Sequence, residues 1–123
     1  MPCDPLLIWR PIPVGSTFKA TASGDENKFN VLIAVTLNSQ SVPPLRHDDI
    51  VPGPGEIPIQ EGDRYVLDIA ISVFSTPDDP ITFAMSVVDE SGDVVSIDGI
   101  PLQCDTTMAA AGSQTIKVIA SAV

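Results

Sequence analysis

The chain has 123 residues, a net charge of −10 and a mean hydropathy of +0.26, which fits one folded domain with a sizeable core. An acidic chain without a basic patch lacks the footprint that nucleic acid demands, and anionic membrane surfaces are disfavoured for the same reason. The longest apolar runs are about five residues, far short of the roughly 20 that a membrane-spanning helix needs.

The N-terminal stretch "MPCDPLLIWRPIPVG" has no basic region followed by an apolar one, so it does not read as a signal peptide. That points to a virion or a cytoplasmic assembly, or to an extracellular protein if a signal has been removed. Residues 1–15 form an extended, apolar, proline-rich arm, and residues 16–123 form a single domain. Three prolines in "PLLIWRPIPVG" bar the arm from a central strand. It either buries itself on a neighbour or crosses its own domain. Cys3 and Cys104 lie near opposite ends of the chain, and a bond between them would pin the arm to the C-terminal half. Two free thiols are the alternative in a cytoplasmic setting.

From Phe29 onward the hydrophobic period is two. Phe29, Val31, Ile33, Val35 and Leu37 share one face of a strand. Tyr65, Leu67, Ile69, Ile71 and Val73 repeat the pattern, and so do Ile81, Phe83, Met85 and Val87. Residues 17–23 and 115–121 are shorter strands of the same kind. Between them, "STPDDP" (75–80) and "DESGD" (89–93) read as turns, the second with Gly92 at positive φ. The segment "LRHDDIVPGPGE" (45–56) reads as a long crossover stiffened by proline. It links a strand ending near Leu37 to one starting near Asp63. The only helix-compatible piece is "TTMAAAG" (106–112), one turn closed by Gly112.

These patterns predict an all-β protein, an antiparallel two-sheet β-sandwich of jelly-roll or immunoglobulin-like topology. The outward strand positions are unusually apolar. They include Leu32, Ala34, Val66, Ala70, Phe74, Ala84, Val88 and Ile119. A solvated sheet face is normally polar, so a partner or the chain's own loops should cover this one. Trp9, Leu32, Val66, Phe74 and Val88 are the candidate interface residues.

Catalytic chemistry is poorly supplied. His47 is the sole imidazole, no GxSxG elbow surrounds any serine, and no phosphate-binding glycine loop occurs. We assign no catalytic residue and expect a protein that is not an enzyme. His47, Asp48 and Asp49 read as a charged loop cluster. Asp89, Glu90, Asp93 and Asp98 supply oxygen ligands of the type calcium takes, though the EF-hand spacing is absent. No other cofactor is expected.

The sequence thus points to a non-enzymatic structural or assembly protein. The expected role is a subunit of a larger particle, such as a bacteriophage or viral virion component (decoration, head, tail or fibre). Its partners would be further copies of itself or other structural subunits, with no nucleic acid bound and no insertion into a membrane. The alternative is a calcium-assisted carbohydrate- or protein-binding adhesion module.

Overall fold

The computed structural model describes residues 2–122. In chain order its strands are β1 (Leu6–Trp9), β2 (Thr17–Ser23), β3 (Phe29–Leu37), β4 (Gln40–Leu45), β5 (Gly55–Pro58) and β6 (Arg64–Val73). They continue with β7 (Ile81–Val88), β8 (Ser96–Ile97), β9 (Ile100–Pro101), β10 (Gln103–Met108) and β11 (Gly112–Ser121). A helical turn, α1, spans His47–Ile50, and a 3-10 turn spans Glu26–Lys28. One sheet has the strand order β1-β11-β6-β3-β4 and the other β10-β7-β2-β5, while β8 and β9 form a separate hairpin. Within the two large sheets every neighbouring pair is antiparallel except β1 with β11.

The alternation read from the sequence sets which face is buried. On β3 and β6 the positions Phe29 to Val35 and Tyr65 to Val73 are buried at every second residue, and Ile81 to Val87 do the same on β7. They meet Phe18, Ala20 and Ala22 of β2 and Ile116, Val118 and Ala120 of β11 in one continuous core. Removing these apolar side chains from water is the main force holding the two sheets face to face.

The N-terminal arm crosses its own domain. β1 lies parallel to β11, with Leu6 opposite Lys117 and Trp9 opposite Ala120. Ahead of it, Cys3 donates its backbone N–H to the Asp105 carbonyl and is disulfide-bonded to Cys104 on β10. The arm therefore holds one sheet through hydrogen bonds and the other through a covalent bond. Alternation turns Trp9 inward, where it is 7% exposed. Expected on an interface, Trp9 is instead a core residue of its own chain.

Two local expectations are corrected. Residues 106–108 belong to β10, with Thr106 opposite Phe83, and not to a helical turn. Thr106 and Thr107 are β-branched, and pairing with β7 outweighs the weak helix preference of "MAAA". The segment 45–56 does not link the strand ending near Leu37 directly to the one starting near Asp63, because β4 and β5 intervene and those two strands, β3 and β6, pair in one sheet. It does carry the chain from one sheet to the other. Proline concealed β4, yet Pro43 and Pro44 are accommodated because β4 is an edge strand.

Candidate functional site

The outer face of the five-stranded sheet is the least ordinary surface of the molecule. Register places Ile8, Ile119, Val66, Thr36 and Ser41 in one row across all five strands. The next row runs Leu6, Lys117, Asp68, Ala34. Leu6 and Ile8 are each 53% exposed, and Val66 and Ile119 are half-buried against one another. Leu32 also lies on this face, opposite Ala70.

Charge separates this surface from the rest. Within the strands its charged residues are Arg64, Lys117 and Asp68, a net of +1 on a chain of −10. Lys117 and Asp68 approach to 3.9 Å with both side chains about half exposed. Such an exposed pair adds little stability and leaves both charges accessible to a partner.

The expected interface residues do not form one patch. Leu32 and Val66 share this face. Phe74 is 65% exposed but follows the end of β6, where its N–H donates to the Lys28 carbonyl. Val88 sits on the other sheet and is only 9% exposed, because it pairs with Val94 of its own chain. Sequence reading passed over Leu6 and Ile8. The signal was present in "LLIW", whose period of two places Leu6 and Ile8 opposite to Leu7 and Trp9.

Each edge strand of the two sheets is blunted against further pairing. β4 contains Pro43 and Pro44, β1 lies between Pro5 and Pro11, and β5 is bounded by Pro54 and Pro58. The fourth edge, β10, meets Pro2 and Cys3 at Asp105. A proline offers no N–H to an added strand, and a short edge offers few, so association through faces and loops is favoured over strand addition.

The outer face of the four-stranded sheet holds an open groove of about 470 Å³. Its floor consists of small side chains, Ala84, Ser86 and Thr21. Lys19, Gln103 and Asp105 rise around them. Lys19 is drawn sideways to Glu56, 3.4 Å away.

The charged loop residues serve the local fold. The Nδ1 atom of His47 accepts the backbone N–H of Val31 at 3.2 Å, and the ring stands edge-on to Phe29. The Asp49 carboxylate accepts the Arg46 N–H and starts α1, while Asp48 faces solvent. Asp89 closes its hairpin by accepting the N–H groups of Ser91 and Asp93, with Gly92 at φ +87°. Among the described residues no three His, Cys, Asp or Glu side chains gather as metal ligands. Asp89, Glu90, Asp93 and Asp98 thus form no coordination cluster.

No protein-family model matches the chain, and no curated protein or solved structure proved similar to it.

Proposed function

We propose that this protein is a non-enzymatic structural subunit that assembles into a larger particle, such as a virion component, through the outer face of its five-stranded sheet. The observation that carries this reading is the row Ile8–Ile119–Val66, bordered by Arg64 and Lys117 on an otherwise acidic chain. Exposed apolar rows rimmed by charge are the surfaces that protein partners cover. The blunted sheet edges favour contact through faces over strand addition. The Cys3–Cys104 bond suits a protein whose working place is oxidising, as a particle surface is.

The connectivity supports an immunoglobulin-like arrangement over a jelly roll. β2 passes to β3 in the opposite sheet, β3 pairs with β4, and the last strand, β11, lies beside β6. A jelly roll would place the first and last of its eight main strands, here β2 and β11, side by side.

The test is light scattering on wild type, Val66→Asp and Ile119→Asp across a concentration series. Wild type should associate, and both variants should remain folded with association lost. If the variants associate as wild type does, this face is not the interface. A wild type that stays monomeric at millimolar concentration removes self-assembly altogether.

The groove on the four-stranded sheet favours a second reading, an adhesion module that binds a carbohydrate or peptide. Its walls offer an ammonium, an amide and a carboxylate on rigid strands. Aromatic stacking surfaces are scarce, since the chain holds one Trp, one Tyr and four Phe. Saturable binding of an oligosaccharide, weakened by Gln103→Ala, would support this reading over the first.

A further inference from the structure

We infer that the occupant of the five-stranded face is the 89–101 excursion of a second copy of this chain, packed head to tail. This inference rests on the assembly reading above and names its partner surface. The excursion leaves β7, turns at Gly92, and returns through the β8–β9 hairpin to β10. It carries Asp89, Glu90, Asp93 and Asp98 with no basic residue, a net of −4. It also presents two exposed apolar side chains, Val94 at 37% and Ile100 at 62%. Its base is fixed, because Val95 and Leu102 are buried and hydrogen-bonded to each other and to Val87. The excursion is thus an acidic segment anchored at its base, with Val94 exposed beside Val88 and Ile100 exposed next to the Asp98–Gly99 turn.

The five-stranded face is its complement in both properties. Ile8, Ile119 and Val66 form an apolar row with Leu6 in the row beside it, and Arg64 and Lys117 outnumber Asp68 on the same face. Matching opposite charges around an apolar contact selects the partner and speeds encounter. Packing face on face would set +1 against +1, and packing excursion on excursion would set −4 against −4. Only the crossed arrangement joins unlike charges.

The two patches belong to different sheets of the sandwich. One contact between two copies therefore leaves a free face at one end and a free excursion at the other. Such a heterologous contact propagates into a ring or a filament and does not stop at a dimer. That is the behaviour expected of a particle subunit.

A charge-swap experiment tests this. One chain carries Arg64→Glu and Lys117→Glu, which take the face from +1 to −3, and the other carries Glu90→Lys, Ser91→Lys and Asp93→Lys, which take the excursion from −4 to +1. Asp89 is left intact because its carboxylate closes the turn. Circular dichroism checks that both chains are folded. Each alone should lose association, since face and excursion now carry the same sign. Mixed in equal amounts, every face again meets an excursion of opposite sign, and light scattering should recover the wild-type mass. The inference is overturned if the excursion variant alone still associates, or if the mixture stays monomeric. If Val66→Asp abolishes association while the excursion variant retains it, assembly through the face stands and the head-to-tail partner is wrong. A monomeric wild type overturns both.

Discussion

The imidazole of His47 completes the edge of β3 where β4 has already turned away. β4 pairs with β3 only as far as Leu45, which lies opposite Ile33. The next N–H on that side, at Val31, has no strand partner, and Nδ1 of His47 takes its place at 3.2 Å. His47→Ala should cost about 1–2 kcal/mol through the orphaned donor and the lost contact with Phe29. The lower end is expected, because the adjoining pocket of about 430 Å³ is open to solvent. Denaturant unfolding measures the cost. His47→Phe keeps the ring and removes the acceptor, and stability equal to wild type would show that the acceptor contributes nothing.

Tyr65 ties the start of β6 to the strand before it. Its hydroxyl donates to the Pro58 carbonyl at 2.9 Å and stands 3.4 Å from Asp63. Burial, then the charge and hydrogen bond of Asp63, raise the phenol above its ordinary value of 10.0, and a backbone hydrogen bond at Gln60 works against them. The folded state thus holds the phenol proton more tightly than the unfolded chain does. The resulting stability is fully present below about pH 10 and is lost as pH rises through the raised value. Tyr65→Phe should cost about 1 kcal/mol at neutral pH and reduce the alkaline loss of stability. An unchanged alkaline limb in the variant would rule this out.

The Cys3–Cys104 bond closes a loop with a sequence separation of 101. In the chain-entropy account a loop of this length stabilises the folded state by up to about 4–5 kcal/mol. The Cys3→Ser, Cys104→Ser double variant should therefore unfold at much lower denaturant, with the arm as the first part to lose amide protection from exchange. Intact mass with and without reductant reports whether the bridge is formed. Equal stability of the two chains would mean that hydrogen bonding alone holds the arm.

Ser16 is 1% exposed, and among the described residues its Oγ has no hydrogen-bond partner. Its backbone is well engaged, with the N–H donating to Pro13 and the carbonyl accepting from Ile59. A buried, unpartnered hydroxyl costs about 1–3 kcal/mol of desolvation. Ser16→Ala keeps the backbone bonds and removes that cost, so its midpoint should equal or exceed that of wild type. A clear loss of stability would mean that the hydroxyl has a partner in solution.

Much of the sandwich was legible in the chain, and so was one half of its candidate interface. A period of two over Phe29–Leu37, Tyr65–Val73 and Ile81–Val88 named the buried positions because burial on one face is a local property of an extended strand. The turn at Gly92 was legible for the same reason, since its backbone geometry restricts the residues that can occupy it. The Asp98–Gly99 pair, at φ +53° and +78°, carried an equally strong hairpin signal that sequence reading passed over. Leu32 and Val66 were rightly placed on an outer face by parity alone.

What parity could not supply is which outer face each strand belongs to, because strand order depends on contacts far apart in sequence. Tertiary pairing placed Val66 beside Ile119, which lies beside Ile8, and it sent Val88 to the other sheet next to Val94. It also turned Trp9 into the core by laying the arm along β11. His47 moved from candidate chemistry to backbone support for a similar reason. A lone histidine in a proline-rich loop acquires a role only when the fold brings an unpaired N–H within reach. The chain by itself determined that strands would pack as sheets and which side chains of β3, β6 and β7 would face the core. Only the folded structure determined that an apolar row lies across a face of net +1 on one sheet and that an acidic excursion leaves the other.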